Sequence, residues 1–318
     1  MEDKLKVKQG MLFEIKEETF GLLNKFIVPP FSVLDTKQGY WQDRKRRWLK
    51  VTGNLSETRN GEFGTVGGGK KNGKLFGDFG ENSGKQGLFN NINEGTSNFD
   101  PVLAEIIYRW FCPEGGRILD PFGGEQTKGV VAGFLGYPYT AVEFRQDQVD
   151  LNLEKTKRFK DIEYYCGDSN NLSKIIKDSG FDLCFTSPPY YDLEIYSKED
   201  MSAVGTYEEF MAQYKNIFQQ CYEKLSDNRF LVVKVGEIRN KKTGEYRNFV
   251  GDNITLMKEI GFKYYNEIIL LNTIGTASIR AQNSMNNRKI VKIHQNVLVF
   301  FKGDIKQIGK IFKVEEED

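Results

Sequence analysis

Arg117-Ile118-Leu119-Asp120-Pro121-Phe122-Gly123-Gly124 decides how this chain folds. An apolar run closes on an acid, a proline and paired glycines, which reads as a buried strand entering a glycine turn. A helical stretch follows from about Glu125 to Leu135. Glycines at a strand-to-helix turn let the backbone approach a ligand closely, and the helix N-terminus offers unpaired N–H donors. Next, Tyr139-Thr140-Ala141-Val142-Glu143 is a strand ending in an acid, about 20 residues after the glycines. That is the spacing at which a carboxylate can take the two hydroxyls of a ribose. Tyr164-Tyr165-Cys166-Gly167-Asp168 ends a third strand in another acid. Ligands bind at the C-terminal ends of strands in an open α/β sheet, so Asp120, Glu143 and Asp168 mark one edge.

The pattern from Asp100 onward is regular. It predicts helices over 100–112, 125–135, 146–157, 170–178, 206–225 and 252–261, and strands over 117–121, 139–143, 161–165, 182–186, 229–235, 264–272 and 295–301. Strands alternating with helices give a parallel sheet. No helix is expected between the last two strands, so they should pair antiparallel. Residues 1–25 read as a short amphipathic helix, and the Gly- and Asn-rich residues 53–98 as a long irregular segment or mobile loop. The expected division is an extension over 1–98 and a folded domain over 99–318.

The apolar run Phe181–Phe185 ends in Thr186-Ser187-Pro188-Pro189-Tyr190. The two prolines lack N–H groups and have fixed φ, so the turn is rigid and its carbonyls are free to accept hydrogen bonds. Such a turn suits a flat ring bearing an amino group, with the ring stacked on Tyr190 and its amino hydrogens meeting Ser187 and a proline carbonyl. A plain proline turn after a buried strand is the competing reading, and the three acids upstream weigh against it.

Asp-Pro-Phe-Gly-Gly, then Glu143, then Asp168, then Thr-Ser-Pro-Pro-Tyr resembles the S-adenosylmethionine-dependent amino-methyltransferases of DNA, with the cofactor motif preceding the catalytic one. Ser97-Asn98-Phe99-Asp100-Pro101 is similar to the segment that packs over the cofactor in that family. Pro29–Thr36 and Gly39–Lys45 resemble stand-alone and ParB-fused DNA methylases of phages and mobile elements. The likeness covers most of residues 26–301. It implies a class I methyltransferase (Rossmann-like) sheet of seven strands, mostly parallel with an antiparallel last strand. It implies S-adenosylmethionine as cofactor, held by Phe99, Asp120, Pro121, Phe122, Gly123, Gly124, Glu143, Asp168 and Thr186. Asp120 and the glycine turn would hold the methionine end, Glu143 the ribose and Asp168 the adenine amino group. Ser187, Pro188, Pro189 and Tyr190 would form the catalytic turn, acting on a base flipped out of duplex DNA. Serine before Pro-Pro favours cytosine N4, with adenine N6 as the alternative; an RNA amino-methyltransferase and an inactive DNA-binding protein stand behind these. One departure is Gln126, where the family's last glycine is expected, with Lys128 where a small hydroxyl residue often stands. A Cβ at 126 must avoid positive φ or accept strain.

Composition bounds the rest. With 318 residues and 39% hydrophobic content the chain can fill one large α/β core, and a net charge of +1 does not advertise a nucleic-acid binder. The four cysteines form no C-x-x-C pair and there is one histidine, so no metal site is expected. Cys166 and Cys184 are placed in core strands, which fits a reducing cytosol. No signal peptide or long apolar run is present, so a cytoplasmic protein of a bacterium or phage-infected host is expected, with no membrane contact. Gly64–Lys71 nearly spells a P-loop, but Lys71 stands where a Ser or Thr must hold magnesium.

Only short segments separate Asp168 from Thr186 or follow Phe301, so a recognition region does not fit there. The N-terminal residues and the loops at 191–204, 236–251 and 273–292 remain. Trp41, Arg44, Lys45, Arg46 and Arg47, a basic cluster with aromatics, are the expected DNA contacts, with Lys70, Arg239, Lys242, Arg247, Arg280, Arg288 and Lys289 among further cations. His294 reads as a satisfied core or surface histidine. The resemblance leaves a homodimer and a cognate restriction endonuclease open as partners.

Overall fold

Side chains that alternate above and below one sheet organise the molecule. The computed structural model describes residues 17–52, 99–191, 205–240, 242–272 and 277–313. In chain order the strands are β1 (Val33–Asp35), β2 (Ile118–Asp120), β3 (Tyr139–Glu143), β4 (Ile162–Cys166), β5 (Phe181–Thr186), β6 (Leu225–Val235), β7 (Lys263–Leu271) and β8 (His294–Lys302). The helices are α1 (Glu17–Phe26), α2 (Gly39–Thr52), α3 (Pro101–Phe111), α4 (Thr127–Leu135), α5 (Gln146–Thr156), α6 (Leu172–Ile175), α7 (Tyr207–Lys224), α8 (Phe249–Ile260), α9 (Ala277–Met285) and α10 (Ile308–Ile311).

The sheet order is β1-β7-β8-β6-β5-β2-β3-β4. Every neighbouring pair is parallel except those made by β8, which runs antiparallel to both β6 and β7. From β4 to β7 this is the class I methyltransferase sheet. Because β8 runs against its neighbours, its first residues share an edge with the last residues of the parallel strands.

In β6, Phe230 and Val232 face one core with Phe185, Val297 and Val299, under α2, α3 and α4. Leu231, Val233 and Val235 face the other, with Cys184, Leu298 and Phe300, under α7 and α8. This period of two, apolar on both faces, marks strands buried between helix layers. Helix ends follow local chemistry. Asp100 Oδ1 accepts the Val102 N–H at 2.9 Å with Pro101 in the first turn of α3. Thr206 and Glu209 form a capping box on α7, and Gly136 at φ 81° closes α4.

Four expectations are corrected. The sheet has an eighth strand, because β1 pairs with β7 from Val33↔Ile269 to Asp35↔Leu271. Residues 17–52 are therefore built onto the sheet, and the Trp110 indole N–H donating to Phe26 O at 3.0 Å ties in the end of α1. A helix, α9, does lie between β7 and β8; the antiparallel pairing survives because both strands end at the same edge. The expected helix 170–178 shrinks to a 3-10 turn at Ser169–Asn171 and the single turn α6. Cys166 is exposed at the end of the edge strand β4, whereas Cys112, Cys184 and Cys221 are buried. Residues 1–16 and 53–98, with the P-loop-like stretch and Lys70, lie outside the described residues. No helix among the described residues is long and apolar enough to cross a membrane.

Candidate active site

The C-terminal ends of β2, β3, β4, β5 and β6 and the first residues of β8 meet at one edge. β2 opens into the glycine turn, where Gly124 adopts φ 61°, the left-handed region that favours glycine. A Cβ on Gly123 would lie 3.2 Å from the Ala141 Cβ and 3.3 Å from Val142 O, so this turn is pressed onto β3. Gln126 sits at φ −66°, ψ −11° just before α4. Its Cβ is therefore unstrained, and the missing third glycine does not deform the turn.

Asp120 is the best-buried acid of the edge at 0% exposure. Its Oδ1 accepts the Phe122 N–H at 3.0 Å and the Thr186 hydroxyl at 2.7 Å; its Oδ2 accepts the Tyr139 hydroxyl at 2.7 Å and meets the Lys128 ammonium. The Lys128 Nζ also donates to Phe122 O at 3.0 Å. Burial, then the Asp120 charge, pushes the Tyr139 phenol well above its ordinary value, so it stays a proton donor. These groups fill the acceptor positions of Asp120. Together with Lys128, Asp120 and the Thr186 side chain lock the ends of β2, β3 and β5. Lys128 stands where a small hydroxyl residue was expected because it supplies the buried counter-charge.

The outer acids differ. Glu143 accepts the Gly124 N–H at 3.0 Å and the Arg145 N–H at 3.1 Å, so it shapes the turn from β3. Asp168 is exposed just past β4; its Oδ1 accepts the Asn170 N–H at 2.8 Å, while its Oδ2 has no hydrogen-bond partner among the described residues. Pro121 is buried and its carbonyl accepts the Ser169 hydroxyl; Phe122 packs on Phe218. Phe99 reaches the turn through Glu125, whose Oε1 accepts the Phe99 N–H at 2.9 Å and whose Oε2 accepts the Thr127 N–H at 2.9 Å and hydroxyl at 2.7 Å. Burial raises the Glu125 pKa against these hydrogen bonds. The Phe99 ring lies 5.5 Å from the Lys128 ammonium and 5.0 Å from that of Lys234.

Ser187, Pro188, Pro189 and Tyr190 leave β5 beside this turn, since β5 and β2 are neighbours with Leu119↔Cys184 in register. The Ser187 hydroxyl donates to Lys234 O at 3.4 Å, which leaves its oxygen open to an incoming donor. The Tyr190 ring packs edge-on against Phe249, and its hydroxyl accepts from Gln295 Nε2 at 3.0 Å. Gln295 was missed by sequence reasoning, although an antiparallel last strand already places its first residues at the ligand edge. Glu125 was missed as well. Arg247, read in the sequence only as one of several loop cations, has its guanidinium 4.8 Å over Tyr191 and 5.1 Å over Tyr207. His294 is half-buried, and burial and the Lys292 charge lower its pKa, so it is neutral at pH 7.

The basic cluster of α2 is not brought to this edge. Trp41 is fully buried and its indole N–H donates to Asp100 Oδ2 at 3.3 Å. Arg44 grips Glu105 through two bonds of 2.5 Å, and the Trp48 indole adds a third at 2.7 Å. Lys45 meets Asp100 at 2.9 Å and Arg46 pairs with Asp43. Arg47 alone of the four cations is exposed with no ion pair among the described residues. Trp41 therefore cannot stack on a base, and Arg44 and Lys45 are fastened to α3.

Comparison with known proteins agrees with the motif reading. Residues 181–318 match the DNA methylase family model N6_N4_Mtase. No curated protein matches the sequence. TrmN from Thermus thermophilus is 17% identical at a TM-score of 0.42, the match covering 64% of this chain and 49% of that one. A SAM-dependent methyltransferase from Methanosarcina mazei is 15% identical, TM-score 0.42, covering 62% and 97%. The N-methyltransferase NodS from Bradyrhizobium japonicum is 13% identical, TM-score 0.40, covering 64% and 92%.

Proposed function

We propose that this chain, whose residues 181–318 match the DNA methylase family model, transfers a methyl group from S-adenosylmethionine to the exocyclic amino group of a base flipped out of duplex DNA. Cytosine N4 is the favoured acceptor and adenine N6 the second reading. The observation that carries this is the juxtaposition of two turns on neighbouring strands: Gly123-Gly124 after β2 and Ser187–Tyr190 after β5.

The residues present fit the cofactor. Gly124 has the backbone freedom the turn needs, Gln126 does not obstruct it, and Asp168 Oδ2 is an open acceptor for an adenine amino group. Phe99, Phe122, the glycine turn, Glu143 and Asp168 would hold it, with Pro121 shaping the turn and Asp120 and Thr186 bracing it from below. Bound there, S-adenosylmethionine would supply an electrophilic methyl group: the N–C bond to the amino nitrogen would form as the S–C bond breaks, leaving S-adenosylhomocysteine, and the amino proton would pass to water. That nitrogen is a poor nucleophile because its lone pair is delocalised into the ring. The Ser187 oxygen and the Pro188 carbonyl accept its hydrogens and so favour a pyramidal nitrogen with a localised lone pair. Tyr190 stacks under the ring, held by Gln295. Alignment, more than a strong base, lowers the barrier. The resemblance also carries a cognate restriction endonuclease, a homodimer and a bacterial or phage-infected host as its setting.

Mass analysis of nucleosides from DNA of expressing cells tests the reading, with N4-methylcytosine expected. N6-methyladenine would overturn the choice of base but leave the mechanism. Tyr190→Ala should weaken base stacking by about 1–3 kcal/mol with cofactor binding retained. Ser187→Ala should lower turnover more than cofactor affinity. Full activity in the double variant would show that the catalytic turn lies elsewhere.

A further inference from the structure

Two loops stand beside the catalytic turn. Residues 236–248 leave β6 and enter α8, and residues 277–293, including α9, lead into β8. Since Leu271 pairs with His294, the second loop rises from the edge that carries Ser187. Arg239 and Tyr246 bridge the first loop into a hairpin. The hairpin touches the catalytic turn through Arg247, over Tyr191. It touches the second loop at Gly244, where a Cβ would come within 3.0 Å of the Lys289 ammonium. The surface from Tyr191 across the hairpin to Lys289 is therefore continuous.

Residues 277–293 hold Arg280, Arg288, Lys289 and Lys292 and no carboxylate. The hairpin adds Arg239, Lys242 and Arg247. Arg239 donates to Gly244 O at 2.8 Å and lies over the Tyr246 ring, so its charge is oriented and not neutralised. The Arg247 Nε is buried without a hydrogen-bond acceptor among the described residues. Neither loop makes an ion pair among the described residues, although carboxylates are close by. Glu237 accepts the Phe249 N–H at 2.8 Å, Asp252 the Tyr207 hydroxyl at 2.7 Å, and Glu267 the Asn296 amide at 2.6 Å. Neutral donors hold those acids; Lys242, Arg280, Arg288 and Lys289 are exposed, as is Glu245 of the hairpin, while Arg239 and Arg247 are half-buried.

We infer that this rim, Arg239, Lys242, Arg247, Arg280, Arg288 and Lys289, is the surface that grips the duplex phosphates, with Arg247 holding the strand beside the flipped nucleotide. This rests on the activity proposed above and moves the DNA contact away from the α2 cluster. A row of cations without counter-ions at the mouth of a pocket attracts a polyanion, and each phosphate it neutralises steepens the salt dependence of binding. Arginine suits the position nearest the target because its planar guanidinium can lie on Tyr191 and Tyr207 while its N–H groups reach phosphate.

The test is a salt titration with random-sequence duplex DNA, alongside cofactor calorimetry and methyl transfer. The Arg280→Gln/Arg288→Gln/Lys289→Gln variant should bind the duplex at least tenfold more weakly at low salt. Its log–log salt slope should be shallower by about 2–3, at roughly 0.9 per phosphate contact, with unchanged cofactor affinity. Arg46→Gln/Arg47→Gln should keep the wild-type slope. A rim variant with the wild-type slope, or loss confined to the α2 variant, would overturn the assignment while wild-type methylation of DNA still upheld the activity. A wild-type protein that binds the cofactor but methylates only structured RNA would overturn the activity itself.

Discussion

The α2 cluster and the rim of 239–289 contain the same kinds of side chain and meet opposite fates. In α2 the cations are consecutive and accompanied by tryptophans, the pattern that most resembles a nucleic-acid surface. Helical spacing places Trp41, Arg44, Lys45 and Trp48 on one face, and that face lies on α3. Asp100 and Glu105 wait there, the latter only 2% exposed and bonded to Arg44 and Trp48. The charges of Arg44 and Lys45 are cancelled there. In the rim the cations are scattered along two loops and look unremarkable in sequence. Folding sets the loops side by side and gives the nearby acids other partners. Local density of charge therefore says less about a binding surface than the location of the counter-ions.

The sharpest way to break this contrast is Glu105→Ala. It leaves the Trp48 indole and the Arg44 guanidinium without their acceptor, and buried pairs broken this way cost about 3–5 kcal/mol. Arg44 is 32% exposed and can regain water, so urea unfolding should show a loss of about 2–3 kcal/mol. The salt slope for duplex DNA should not change. An unaltered unfolding midpoint would mean that α2 is not held through this carboxylate.

Arg247→Gln should do the reverse. The KM for duplex should rise about tenfold, equivalent to about 1.4 kcal/mol, with unfolding and cofactor affinity close to wild type. A large loss of stability with no change in KM would return Arg247 to a packing role.

Acidification sharpens the same comparison. Burial pushes the Glu105 carboxyl up, but the hydrogen bonds from Arg44 and Trp48 and the charges of Arg44 and Arg109 outweigh it and leave the pKa below the ordinary 4.5. A depressed carboxyl contributes stability that is present above its unfolded pKa and lost as pH falls through the folded one. Unfolding free energy should therefore drop below about pH 4.5, and Glu105→Gln should flatten that part of the profile. A profile identical in the two proteins would remove Glu105 from the account. The smallest effect is expected for Arg46→Gln. Its pair with Asp43 is surface-exposed, so the change should be within about 0.5 kcal/mol, with no effect on DNA binding.

Much of the sheet was legible because its signals are local. Apolar runs such as Phe181–Phe185, a glycine turn after Asp120 and alternating helix periods fix strands and helices within a few residues of themselves. The two turns of the candidate site were legible for the same reason, since prolines and glycines dictate backbone shape where they stand. Short elements were not. β1 has three residues and exists as a strand because β7 offers it an edge, and the expected helix after Asp168 unwinds to a turn and a half under α7.

By itself, then, the sequence determined which strands end in acids and which turn follows each one, because backbone propensity and apolar periodicity act over neighbouring residues. Only the tertiary structure decided what each charged group faces. Asp120 is closed off by Lys128, Tyr139 and Thr186, whereas Asp168 stays open; Arg44 is cancelled by Glu105, whereas Arg247 stands beside Tyr191. Except for Asp120 with Lys128, those pairings join residues far apart in the chain. A charge's role depends on which partners and how much water surround it, and both are set when distant segments pack together.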